Sequence, residues 1–366
     1  METKDVNEYY GPLTAPQIIK CRNELKDIII VPFFDKKAKG IGYNLSPSEL
    51  IYSLRRRGLV PICHDSSGSY IKIRPHDTVL ILSYEYLQVN NNICGTFHSR
   101  VRCSAKGMGS VSTTLDPGWK GMLLFSINNP TKKSVRLDIF EKSDGQIENS
   151  SLLTLVPSRI HTHDGNDLLT FHLDNPPMRA DIWDELIDPP HRIRKNKEYQ
   201  RFKAIIRRVI EFQPVESDTI RRIDKLIDLL MDLKCAFGVD NRLNEAKKIL
   251  IHIQRMVSEE DGRLKEKINQ VETAIKDEQD QEAVIELIDS VYRECKYIRM
   301  CDEVDQLHKF IHENIEAVWK KGWFSRVLFR LIYPNLGAFL LLSFCSLYYC
   351  FFPLFLKLIW LRLFPE

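Results

Sequence analysis

The chain is notable first for what it lacks. Its 366 residues hold no P-loop and no dinucleotide-binding glycine fingerprint, which removes the two commonest phosphate cradles. Its nine cysteines, at 21, 63, 94, 103, 235, 295, 301, 345 and 350, include no C-x-x-C pair and no partner histidines at zinc-ligand spacing. Neither a zinc site nor a disulfide framework is expected, and the thiols should be free. Met1 to Pro12 is polar and acidic and lacks the basic-then-apolar order of a secretion signal, so the body should stay in a reducing compartment. Excess charge of one sign is missing too: 52 Lys and Arg against 49 Asp and Glu leave only +3, and no nucleic acid partner is expected.

What is present divides into three stretches. From Leu25 to about Leu173 short apolar runs alternate with turn residues: Ile28 to Val31 before Pro32, Thr78 to Leu82 after Pro75, Met122 to Ile127 after Pro117-Gly118. Runs too short for helices and bounded in this way predict a compact all-β domain, placed at 1–180. Asp116-Pro117-Gly118 reads as a tight turn, because proline presets φ at its second position and glycine accepts positive φ at its third.

After Pro189-Pro190 proline becomes rare and apolar residues return at helical spacing. Ile220, Ile223, Leu226, Ile227, Leu230 and Leu233 form one face; Ile285, Ile288, Val291 and Cys295 a second; Val304, Leu307, Ile311, Ile315 and Val318 a third. Gly238 and Gly262 are candidate breaks. This predicts a helical region over 181–321, either a bundle within one chain or a coiled stalk joining several.

The third stretch, 322–366, contains an uncharged apolar run from Leu336 to Leu356, long enough to cross the ~30 Å hydrocarbon core. Lys320, Lys321, Arg326 and Arg330 precede it and only Lys357 and Arg362 follow, which orients the body to the cytoplasm by the positive-inside rule. The expectation is a single C-terminal membrane anchor from about Leu331 to Leu356, with a re-entrant hairpin from Phe324 to Phe364 as the alternative.

Between Tyr70 and Leu155 the sequence resembles the dCTP deaminase and dUTPase superfamily. Leu115-Asp116-Pro117-Gly118-Trp119-Lys120-Gly121 is similar to the family's Ile-Asp-Pro-Gly-Trp-x-Gly, and Ser99-Arg100-Val101-Arg102 stands where the family has Gly-Arg-Ser-Ser. Ile71 to Asp77 and Glu85 to Gly95 match its strand-entry and "Glu, apolar alternation, Gly" segments in the same order. The resemblance implies a distorted β-barrel, trimerisation, and nucleotide sites at subunit interfaces. The whole chain is then multi-domain: a dUTPase-like all-β domain, a helical bundle or coiled coil, and a transmembrane helix.

Carried over residue by residue, the resemblance assigns Arg100 to the triphosphate, a role that a bidentate guanidinium suits. Val101 and Arg102 replace two phosphate-binding serines, and Arg102 adds charge. Trp119 joins the nucleotide-binding set through its motif. The glutamate that shuttles protons in family deaminases falls at Ser126, whose hydroxyl has no such capacity near neutral pH. Asp116 matches the aspartate that positions water in the dUTPase branch, and it reads equally well as a turn residue.

The implied function is a membrane-anchored, sensor-like nucleotide-binding protein, with a signalling or bacterial defence effector as one setting. An active dUTP diphosphatase or dCTP deaminase is the enzymatic alternative, and a trimeric scaffold the structural one. No cofactor is certain; Mg²⁺ would screen the phosphates of a hydrolysed triphosphate. His161, His163 and Asp164 are the nearest approach to a metal cluster and read as surface-turn residues. Arg55-Arg56-Arg57 and His191 to Lys195 are short basic runs, solvated by default and phosphate-binding in the sharper reading.

Overall fold

The structure, a computed structural model, describes residues 10–24, 27–110, 114–143, 146–160, 197–210, 214–238, 243–257, 261–277 and 280–317. By its internal contacts the chain divides into two units, Met1–His312 and Glu313–Glu366.

Three antiparallel sheets build the first half. One pairs β1 (Gly11–Pro12), β15 (Leu153–Arg159), β9 (Ile93–Ser99) and β11 (Thr114–Leu115), with β3 (Tyr43–Leu45) also on β15. The second pairs β10 (Gly109–Ser110), β12 (Lys120–Asn129), β8 (Asp77–Val89), β4 (Pro47–Ser53) and β5 (Gly58–Leu59), with β2 (Ile28–Val31) on β8. The third runs β14 (Gln146–Asn149), β13 (Val135–Ser143), β7 (Gly68–Ile73), β6 (Ile62–Asp65). The runs singled out in the sequence lie in β2, β8 and β12.

Alternate residues of all three sheets face one core. Val79, Ile81, Leu87 and Val89 of β8, Leu123, Phe125 and Ile127 of β12, Ile71 and Ile73 of β7, and Leu153 and Leu155 of β15 meet there, as a period-two pattern requires. A helix, α1 (Ala15–Glu24), adds Ile18 and Cys21 to the same core.

Against that apolar core a buried ion pair forms between Lys37 and Glu85. Glu85, fully buried, accepts from Lys37 Nζ at 3.1 Å, from Ser46 Oγ at 2.7 Å and from the Ser46 backbone N–H at 2.8 Å. Lys37 Nζ also bonds Ser46 Oγ. Burial pushes the Lys37 ammonium below its ordinary pKa, and the neighbouring Glu85 carboxylate pulls it back up.

The helical region follows. After the short α2 (Val101–Ala105) come α3 (Lys197–Ile210), α4 (Asp218–Gly238), α5 (Leu243–Met256), α6 (Gly262–Lys276) and α7 over 281–317. Gly238 ends α4 and Gly262 opens α6, as the sequence breaks predicted. Ser217 caps α4, its Oγ accepting the Ile220 N–H at 2.9 Å. Ile223, Leu226, Leu230 and Leu233 of α4, Leu250 and Ile253 of α5, Leu264, Ile268 and Val271 of α6 and Ile288, Val291 and Cys295 of α7 close on one another in a second core within the chain. Of the two helical alternatives, the apolar faces thus pack as a bundle.

Helices also touch the β domain. The His308 ring of α7 stacks on Tyr84 of β8, α3 packs beside β5, and Arg22 of α1 lies 4.3 Å from the Tyr297 ring centre. Leu50, Tyr52, Leu80, Leu82 and Met122 of the second sheet are buried although they lie outside the core shared by the three sheets.

The expectation of a transmembrane helix, and with it membrane localisation, is corrected. Among the described residues no helix is long and apolar enough to cross a membrane. The long helices are amphipathic: α4 spans 21 residues but carries Arg221, Arg222, Asp224, Lys225, Asp228, Asp232 and Lys234. The apolar run from Leu336 to Leu356, on which the anchor was placed, lies outside the described residues, as do Val318, His161, His163, Asp164 and His191 to Lys195.

Candidate functional site

Of the residues matched to the family, Arg100, Arg102, Asp116 and Trp119 flank β9 and Ser126 lies on β12. Gly95 faces β15, and a Cβ there would come 2.9 Å from Leu155 Cδ1 and 3.2 Å from the Val156 carbonyl oxygen, so any larger residue would have to displace the Leu155 side chain. Ile93 and Phe97 point into the core, whereas Cys94, Thr96 and His98 turn outward. Thr96 Oγ1 and His98 Nε2 lie 2.9 Å apart on that outer face.

Arg100 follows the strand and precedes α2 with extended backbone, φ −71° and ψ 145°. Its carbonyl accepts the N–H groups of Cys103 and Ser104 at 2.9 and 3.1 Å. Its guanidinium is half-buried and reaches the Ser151 carbonyl at 3.5 Å; among the described residues no carboxylate pairs with it. Arg102 differs. Its Nη1 donates to Glu141 at 2.6 Å and its Nη2 to Asp138 at 3.3 Å, so two acids of β13 balance its charge. Val101 is 84% exposed and offers no hydroxyl where a family serine would stand.

Asp116 heads the turn predicted for it. Gly118 has φ +72°, the Trp119 N–H donates to the Asp116 carbonyl at 3.2 Å, and the Gly118 N–H donates to the Asn90 carbonyl at 3.1 Å. The Asp116 carboxylate accepts from Thr114 Oγ1 at 3.3 Å and is half-exposed. Trp119 packs its ring on the core of the β domain and donates Nε1–H to the Gly121 carbonyl at 3.2 Å. Its backbone carbonyl accepts the Val89 N–H at 2.9 Å, which locks the turn to β8.

Ser126 lies in β12 opposite Leu80, on the face turned away from Phe125 and Ile127. Its ladder neighbours are Leu124, Asn128, Leu82 and Thr78; none carries a carboxyl group.

These residues do not all converge. Arg100 and Arg102 stand at one end of β9, and Asp116 and Trp119 follow the β11 residue that pairs with Gly95 near the other. Five residues of strand, at ~3.4 Å each, separate the two ends by roughly 17 Å. Ser126 belongs to a different sheet.

Sequence reading missed the Lys37–Glu85–Ser46 cluster and His308. Glu85 stood in a quoted motif, but nothing near Lys37 marks it as buried. Among the described residues no three of His, Cys, Asp and Glu gather to hold a metal ion. Asp65, on the surface of the third sheet, is held well below the usual carboxylate range by hydrogen bonds from Arg136 and Ser67.

No protein-family model matches the chain. Over 117 residues, 32% of the chain, it is 28% identical to the dCTP deaminase of Pyrococcus abyssi and covers 73% of that protein. It is 26% identical over the same length to the dCTP deaminase of Thermococcus gammatolerans, covering 71% of it. Among solved structures, the 2'-deoxycytidine 5'-triphosphate deaminase of Agrobacterium tumefaciens aligns with 47% of this chain and 57% of its own at a TM-score of 0.32 and 10% identity, a likeness too slight to argue from. These comparisons give no support to a membrane anchor, a stalk fusion or a defence role. Over about a third of its length, then, the chain is similar to dCTP deaminases at low identity.

Proposed function

We propose that the β domain binds a deoxynucleoside triphosphate or a close analogue and does not deaminate it. One observation carries the reading: Arg100, matched to the family's triphosphate arginine, has a half-exposed guanidinium with no carboxylate partner among the described residues, whereas Arg102 beside it is balanced by Asp138 and Glu141. A fork of N–H donors left without an anion suits phosphate oxygens. The absence of a carboxyl on the ladder around Ser126 supports binding without amine removal.

Because Arg100 and Asp116 lie near opposite ends of β9, one chain does not present both to one ligand. A complete site then takes Arg100 from one copy and the Asp116 turn from another, which fits a trimer.

The test is calorimetric titration of the full-length chain with dCTP, dUTP and dTTP in the presence of Mg²⁺, followed by chromatography of the nucleotide recovered. Binding with intact nucleotide, weakened at least about tenfold in Arg100→Ala, is the expected result, since a charged hydrogen bond contributes ~1.5–3 kcal/mol. No binding, or conversion of dCTP to dUTP, would overturn it. A second reading is favoured by the half-exposed Asp116 carboxylate: it would orient water for triphosphate hydrolysis, with Mg²⁺ screening the phosphates. Release of a monophosphate that disappears in Asp116→Asn would identify that activity.

A further inference from the structure

Three loops meet at one end of the β domain. The turn at 54–57 joins β4 to β5, residues 74–76 join β7 to β8, and residues 130–134 join β12 to β13. The Leu54 N–H donates to the Thr78 carbonyl at 2.9 Å, and Arg55 Nη1 to the Pro75 carbonyl at 2.5 Å. The fully buried Asn129 binds the other two loops together: its Nδ2 donates to the carbonyls of Ile73 and Arg74 at 3.0 Å each and of Lys133 at 2.8 Å.

This end of the domain is strongly cationic. Arg55, Arg56, Arg57, Arg74, Lys132 and Lys133 are all exposed there, with the His76 ring among them. The three loops contain no acid. Asp77, the nearest along the chain, is buried and already accepts from Ser53 Oγ at 2.6 Å and from the Arg55 N–H at 3.2 Å. Among the described residues no carboxylate pairs with Arg57, Arg74, Lys132 or Lys133. The net charge of +3 averages this face with the rest of the chain and hides it.

From this arrangement we propose that the three-loop face is a docking surface for the phosphate backbone of double-stranded nucleic acid. Several cations spread over neighbouring loop tips match an extended row of phosphates better than one small anion, and each phosphate neutralised releases a counterion. The loops carry no Trp, Tyr or Phe, so they lack the stacking platforms by which single strands are held. Backbone contacts alone make the binding independent of sequence. The surface involves none of the residues assigned to the nucleotide site, so it stands or falls separately from that reading.

The experiment is fluorescence anisotropy of a labelled duplex of mixed sequence with the full-length chain, over a series of salt concentrations. Two double variants change the net charge equally: Lys132→Glu/Lys133→Glu on the loop face and Lys247→Glu/Lys248→Glu on the exposed side of α5. The proposal expects duplex binding that weakens with salt, a loss of about tenfold or more and a salt slope smaller by about two in the loop variant, and less than a twofold change in the α5 variant. It is overturned if the wild-type chain binds no duplex at low salt, if both variants weaken binding alike, or if single strands bind as tightly as the duplex.

Discussion

The imidazole of His308 lies almost flat on the phenol ring of Tyr84, with centroids 3.9 Å apart and planes 13° from parallel. Its Nε2 stands 2.7 Å from the Tyr84 carbonyl oxygen, and its Nδ1 is buried with no hydrogen-bond partner among the described residues. A neutral ring donating from Nε2 satisfies this geometry; a charged ring would leave a buried N–H without an acceptor. Burial accordingly pushes the pKa down to about 4, against a smaller upward pull from the Tyr84 hydrogen bond.

The first prediction follows from the sign of that shift. The folded pKa lies below the unfolded one, so the unfolded chain binds more protons between them. The stabilisation is therefore full above about pH 6.5 and is lost as pH falls toward 4. Its size is on the order of 3 kcal/mol. His308→Phe keeps the stack and cannot titrate, so thermal melting of the variant should fall less steeply than wild type between pH 7 and 4.5. Parallel curves would contradict the assignment.

A second prediction concerns the core ion pair. Lys37→Met leaves the Glu85 carboxylate fully buried without a counter-charge and should destabilise the fold by about 3–5 kcal/mol, seen as a lower urea midpoint. Adding Glu85→Met removes the stranded charge and should recover much of the loss. A single variant within about 1 kcal/mol of wild type would show that the pair is dispensable.

A third tests assembly of the nucleotide site. If Arg100 and Asp116 reach one ligand from different copies, Arg100→Ala and Asp116→Asn chains should each bind poorly alone, while oligomers from their co-expression recover part of the binding. Recovery would be absent if each site lay within one chain.

Thiol reactivity supplies a fourth. Burial raises the pKa of Cys21 and Cys301 to about 11 and of Cys295 to about 12, whereas Cys235 is exposed. Alkylation of the native protein at pH 8, read by peptide mass spectrometry, should modify Cys235 before Cys21, Cys295 and Cys301, and reach the buried Cys21 and Cys295 only after denaturant is added.

Much of this architecture could be read from local pattern. Ile28 to Val31 and Met122 to Ile127 are short runs with turn residues beside them, and each lies in a strand. Asp116-Pro117-Gly118 is a turn because its dihedral demands are met by those residue types alone. Gly238 and Gly262 mark helix ends because glycine is a poor helix former. What was not legible depends on distant chain segments meeting. Lys37 follows another lysine and looks like a surface residue until Glu85, 48 positions away, is brought against it. His308 falls on the apolar face of Val304 and Ile311, and only its landing on Tyr84 shows what that ring packs against. The separation of Arg100 from Asp116 is likewise a fact of strand pairing that motif order does not contain. An apolar run speaks for a membrane only as a helix of sufficient length, and no described helix meets that condition.

Asn129, whose one side chain fastens the basic loops, is followed by Pro130. Asparagine ordinarily ages by deamidation, when the backbone nitrogen of the next residue attacks its side-chain carbonyl and closes a succinimide. A proline nitrogen has no hydrogen to lose in that closure. The clasp at this end of the domain is therefore protected by its neighbour from the slow chemistry that would turn its amide donor into a carboxylate.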